Sequence, residues 1–400
     1  MSQNSGSSNP KNTSSLLAAL QNFLSSLLGS KPSLPPQPSQ PEPQMPPMPI
    51  DEPLVPLAPR VLVIVYDPMV DALKNLRLVE WGIKNRGWKS IDELLAGYIG
   101  DVDECSGGMV KYNVVQRIDV DEFPVKVDGF RYTALEYLDM YTNHPDKYHQ
   151  PDRIDYYKVI ADHKLNERVN NNEIDEVWLF TFPFSGTYES IMCGTSAFWC
   201  NSAPLENTSG RRYVIMGFSY ERGIGEMEED LGHRAESLLG RIHRCEDFVG
   251  WTYGWDRSRQ PYVKLDPNRY DAVKFAATNL FAKFLLFDKI APGNSQCGNV
   301  HYAPNSDSDY NWGNSKPVPT AADDWLNFPN LTGAQKTQNA SAWGNDDIRG
   351  HHRWWFQRFP HVAGRTNGIR NNWWSYICDV TNPEFDQPEI AASSTGVHVG

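Results

Sequence analysis

Glu226, Glu229, His233 and Glu236 are separated by three, four and three residues. At about 100° per residue those intervals bring all four side chains within roughly an 80° arc of a helix. Three carboxylates and one imidazole on a stripe are the hard and borderline donors that hold zinc, manganese, iron or calcium. A divalent metal, with zinc among the candidates, is therefore one reading of the stripe as a cofactor site. Two other readings compete with this one. Met227, Leu231, Leu238 and Ile242 fall on the opposite side, as in an amphipathic helix whose acidic face is solvated or paired with Arg222 and Arg234. The early glutamates also suit a helix N-terminus, which favours anions.

The acidic helix needs a scaffold, and the chain before it supplies one. Val61–Tyr66, Tyr112–Val120, Glu176–Phe182 and Tyr213–Phe218 read as strands, Ser90–Tyr98 as a helix, and Tyr132–Asn170 as a helix-leaning segment. This alternation predicts an α/β fold, a layered αβα body. Sites in open sheets lie beyond the carboxyl ends of the strands, which here carry Asp67, Glu189 and Tyr220-Glu221. Glu189 and Glu221 are thus candidate catalytic carboxylates. They would form a glycosidase pair if their carboxyls stood roughly 5 to 10 Å apart.

Three regions follow. Residues 1–58 are a Ser/Pro-rich tail expected to be disordered, apart from a short amphipathic helix over 15–28 that would dock on a partner. Residues 59–250 form the α/β domain that bears the acidic helix. Residues 251–400 add a helix over Arg269–Phe287 and loops that hold nine of the thirteen tryptophans, packed on the same body. Trp312, Trp325, Trp354, Trp355, Trp373 and Trp374 occur with Asn, Asp and Gly, and together with His301 they could line a carbohydrate surface, rings stacked on sugar faces. The competing reading places these rings in the core of a loop-rich region. Among His301, His351, His352 and His361, any could complete a site begun by the acidic helix.

Composition narrows the function classes. A net charge of −12 over 400 residues leaves no basic stripe for nucleic acid. The longest apolar run, Val61–Tyr66, is far shorter than the roughly 20 residues of a membrane-spanning helix. The six cysteines include no CxxC pair, so neither a zinc ribbon nor a dithiol redox centre is expected.

Glu229-Asp-Leu-Gly-His233 resembles the HELGH active-site helix of zincin metallopeptidases, with Glu229 in place of the first histidine and Asp230 in place of the general-base glutamate. The resemblance implies that Glu229 and His233 bind metal, that Glu236 is a third ligand, and that Asp230 polarises the attacking water. More widely, Val177-Trp-Leu-Phe180, Phe198-Trp-Cys-Asn-Ser-Ala-Pro204, Gly232-His-Arg-Ala-Glu-Ser237, Asp324-Trp-Leu-Asn-Phe-Pro-Asn330 and His361-Val-Ala-Gly-Arg-Thr-Asn-Gly368 are similar to a family of uncharacterised extracellular bacterial proteins. That similarity implies an extracellular location. The N-terminus lacks an ordinary signal peptide, which leaves the cytoplasm as the alternative. The expected function is a metal-dependent hydrolase acting on a peptide or polysaccharide, with Asp230 or Glu221 as base. The alternatives are a metal-free carbohydrate-binding or glycan-cleaving protein that uses Glu189 and Glu221, and a non-catalytic assembly protein.

Overall fold

Strand β1 (Arg60–Tyr66) is apolar along almost its whole length and buried from Val61 to Tyr66. Such a run belongs inside a parallel sheet covered on both faces. A computed structural model of the chain describes residues 52–206, 209–256, 263–264 and 268–387, and places β1 between two parallel neighbours. These are β2 (Asn113–Val120) on one side and β3 (Glu176–Thr181) on the other. Strand β4 (Ser190–Cys193) lies antiparallel to β5 (Tyr213–Ser219), which is itself parallel to β3, so the order is β2-β1-β3-β5-β4. The edge strand β2 is mostly exposed and carries Arg117, paired with Asp92 and Asp119; charge on an exposed edge discourages pairing with another chain.

Both faces of the sheet are occupied. The Tyr213 hydroxyl donates to Asn166 at 3.2 Å on one face, in a short helix over Leu165–Asn170. On the other, Phe218 packs against Tyr98 and Trp178. Tyr98 comes from helix α1 (Ile91–Cys105), whose first turn is capped by the Ser90 side chain accepting from Glu93 N. The expected α/β class and its αβα layering are observed.

Helix α2 (Ile224–Ile242) is the 19-residue acidic helix, about 28 Å long at 1.5 Å per residue. It packs against α1, β5 and helix α3 (Ile348–Phe356). The solvated-face reading fails here, because residues on every side of α2 are buried, Glu228, Glu229, His233, Arg234 and Glu236 among them. Gly225 permits the crossing with α3: a Cβ there would lie 2.6 Å from Ile348 Cγ2 and 2.8 Å from Arg349 N. Arg234 pairs with Glu176 at the start of β3 at 2.7 Å, and the Trp178 indole N–H donates to the same carboxylate at 2.7 Å. Glu228 sits beside Asp101, which also pairs with Arg349 and Arg353. Burial, reinforced by the Asp101 carboxylate, pushes Glu228 well above the usual carboxylate range, so Glu228 is the protonated member of that pair.

Two expectations change. The helix over Arg269–Phe287 is two five-residue helices, Ala272–Ala276 and Leu280–Phe284, because the Asn279 side chain accepts from Ala282 N and starts a new helix. The body also begins before residue 59: Leu57 N donates to Met109 O, Lys111 N donates to Leu57 O, and Glu52 pairs with Arg370 at 3.0 Å. The described residues of 59–250 and 251–400 fall in one compact unit. The expected helix over 15–28 lies outside the described residues. No helix among the described residues is long and apolar enough to cross a membrane.

Removing one partner of a buried ion pair strands the other, at a cost of about 3–5 kcal/mol. Arg234→Ala should therefore destabilise the protein by about that amount in denaturant unfolding, and the double variant Arg234→Met/Glu176→Gln by distinctly less. Equal losses in the two variants would show that the pair is not what makes Arg234 necessary.

Candidate metal centre

Two of the four stripe residues have jobs away from any ligand. Glu226 turns back on its own helix, its Oε2 accepting from Gly223 N at 3.0 Å, so it serves the N-terminus as the capping alternative expected. Glu236 was expected to bind metal and instead lies behind His233. Its Oε2 faces His233 Nδ1 at 3.2 Å, while its Oε1 accepts from the Tyr253 hydroxyl at 2.6 Å and from Val300 N at 3.2 Å. With its oxygens so engaged, Glu236 orients a ligand rather than acting as one.

The third donor is His301, from the loop after residue 297. Its Nε2 lies 3.0 Å from His233 Nε2 and 3.0 Å from Glu229 Oε1, and His233 Nε2 lies 3.9 Å from the same oxygen. Glu229, His233 and His301 form a group whose ligand atoms all lie within 4.8 Å of one another, a set able to hold a metal ion. Tetrahedral donors on bonds of about 2.05 Å would stand about 3.3 Å apart, within the observed spread.

Proton positions sharpen this geometry. His301 Nδ1 faces Asp309 Oδ1 at 2.9 Å, as His233 Nδ1 faces Glu236. Ionised carboxylates only accept, so each Nδ1 carries the hydrogen and each Nε2 keeps its lone pair. Two bare imidazole nitrogens and a carboxylate oxygen then point at one another, an arrangement that requires a cation or a shared proton between them. Burial opposes ionisation of Glu229, but when the shared proton sits on His301 Nε2 the hydrogen bonds from that nitrogen and from the Tyr310 hydroxyl, 2.7 Å from Oε1, outweigh it and hold the carboxyl at about 2. The carboxylate is charged at neutral pH.

Local sequence explains how a loop brings His301 so close. Asn299 Oδ1 accepts from the backbone N–H groups of His301 and Tyr302, and its amide donates to Thr252 at 2.9 Å. The Trp355 indole donates to Gly298 O at 3.0 Å. Gly298 has φ +75 and leaves no room for a Cβ, which would meet Tyr302 O at 1.9 Å. On the helix side, a Cβ at Gly232 would lie 2.6 Å from Val300 Cγ2, so glycine next to His233 sets the approach of the loop.

The remaining candidates separate. Asp230 is partly buried one residue from Glu229 and makes no hydrogen bond among the described residues; burial, with Glu189 and Glu229 nearby, pushes its carboxyl well up. Glu189 accepts from the Asn201 amide. Glu221 is exposed and acts electrostatically on Tyr137 and Tyr141. Trp312, Trp325, Trp354, Trp355, Trp373 and Trp374 are 0–7% exposed, and rings without free faces cannot stack on a sugar. This corrects their expected role: they are core. Tyr310, Asp309 and Tyr253 were not named as site residues. The motif Asp309-Tyr-Asn-Trp-Gly313 held a signal for the first two, and nothing in the sequence marked Tyr253.

Compared with known proteins, the chain matches no family model, no curated protein and no solved structure.

Two outcomes are expected. Gly232→Ala should weaken divalent-metal binding at least tenfold with helix content unchanged; undiminished affinity by calorimetry would mean that the loop does not depend on this contact. The second concerns Glu229, whose folded pKa of about 2 lies below its ordinary 4.5. Its stabilising contribution is fully present above pH 4.5 and disappears as pH falls toward 2. In chelator-treated protein, Glu229→Gln should cost roughly 3 kcal/mol at pH 7, shrinking on acidification. A cost independent of pH would contradict the assignment.

Proposed function

We propose that Glu229, His233 and His301 hold a divalent metal, zinc foremost, and that the protein is a metal-dependent hydrolase. The observation that carries this reading is the convergence of three electron-rich atoms whose tautomers are fixed from behind by Glu236 and Asp309. Two histidines and one glutamate are the donor set of zinc hydrolases that keep a fourth position open for water. A metal so held would act as a Lewis acid and lower the pKa of bound water to about 7.

The chain's own groups fit the remaining tasks. Tyr310, partly exposed and bonded to Glu229, fixes the carboxylate ligand and offers a hydroxyl beside the reacting position. Asp230, next to Glu229 in the helix, would take the proton from water once a bound cation offsets the burial and the Glu189 and Glu229 charges that otherwise keep its carboxyl protonated. A peptide-type bond is the favoured substrate, since the burial of the tryptophans removes the main support for sugar recognition.

Elemental mass spectrometry of the purified protein should find near-stoichiometric divalent metal, lost in Glu229→Gln, His233→Ala and His301→Ala. Glu236→Gln should keep the metal with affinity reduced about 10–100-fold. Asp230→Asn should retain metal and lose chelator-sensitive hydrolysis of a casein or peptide panel. A wild type that neither carries metal nor takes it up would end this proposal.

A further inference from the structure

A cavity of about 500 Å³ lies along α2 beyond the metal centre, within the size range of small-ligand sites. Glu236, which orients His233, is also part of its wall, so centre and cavity share one stretch of helix. Phe198, Trp199, Tyr270 and Phe275 give the cavity an aromatic lining, and Arg241 and Arg244 contribute cationic groups. Arg241 stands eight residues after His233, about 12 Å along the axis.

Arg241 is the informative residue. Its guanidinium lies 4.2 Å over the Phe198 ring, and its buried Nε has no hydrogen-bond partner. Nearby carboxylates are spent elsewhere: Asp386 on Arg212 at 2.5 Å and Asp247 on Arg269 at 2.7 Å. Glu246, also on the wall, acts on Arg241 only through its charge. A guanidinium held over an aromatic ring, in a cavity whose wall also carries Phe198, Trp199, Tyr270 and Phe275, matches a carboxylate carried on an apolar body.

We infer that this cavity binds the C-terminal carboxylate and apolar side chains of a short peptide, with Arg241 as the anion-recognising residue. The choice of a peptide rests on the hydrolase reading above; binding of a carboxylate on an apolar body in the cavity does not.

The test uses the full chain and two probes, acetyl-Ala-Ala-Phe with a free carboxylate and its C-terminal amide, measured by calorimetry on wild type and on Glu229→Gln. The free acid should bind at least tenfold more tightly than the amide in both proteins, since Glu229 lies outside the cavity. Arg241→Gln should abolish the discrimination, and Arg241→Lys should restore part of it, with folding of each checked by thermal melting. Equal binding of acid and amide, no binding of either to folded wild type, or discrimination that survives Arg241→Gln would overturn the inference. So would phenyl phosphate binding more tightly than the free acid, which would give the cavity to phosphoryl ligands. Loss of metal without loss of discrimination would leave the cavity standing even if the hydrolase reading fell.

Discussion

Burying charge is costly unless every charged group is met, and the architecture around α2 follows from that constraint. Within nine residues the helix carries Glu228, Glu229, His233, Arg234 and Glu236, all buried. Each is answered by a different part of the chain: Asp101 from α1 beside Glu228, Glu176 from β3 for Arg234, and Tyr253 with the Val300 amide for Glu236. A helix needing that many distant partners can settle only when sheet, α1, α3 and the 298–310 loop are all in place. Glu229 and His233 are answered instead by each other and by His301, which leaves three donor atoms facing one another.

Much of the frame was legible from residues alone. Continuous apolar runs such as Val61–Tyr66 and Glu176–Thr181 can be satisfied only between covered faces, so the strands of the central sheet and their α/β setting followed from pattern. The stripe of Glu229 and His233 followed from helical spacing. The identity of the third donor did not, because Glu236 and His301 are chemically equivalent candidates until the direction of each imidazole is known, and that direction depends on the Gly298–Tyr302 turn. Periodicity carries no information about such a turn. The tryptophans misled for a related reason: Asn- and Gly-rich neighbours look like loops at a surface, yet Trp355 is wholly buried and spends its indole N–H on Gly298, supporting the ligand loop from beneath.

The same comparison separates the two carboxylates that a strand-end argument had grouped. Glu189 lies near Asp230 and Tyr310, whereas Glu221 faces Tyr137 and Tyr141. Proximity to the end of a sheet is therefore too coarse to assign chemistry. Hydrogen bonding from behind the donors is the finer criterion, because it fixes which atom of each ring is free to react.

His233 and His301 are 68 residues apart in the chain and 3.0 Å apart in space. Any cation shared between them acts as a staple across that loop, withdrawing from the unfolded chain the freedom it would otherwise regain there. Folding of the C-terminal half and loading of the centre then become one equilibrium, and the fraction of molecules fully assembled tracks the free concentration of the ion. A centre of that kind would report the free-ion level around it through its own stability.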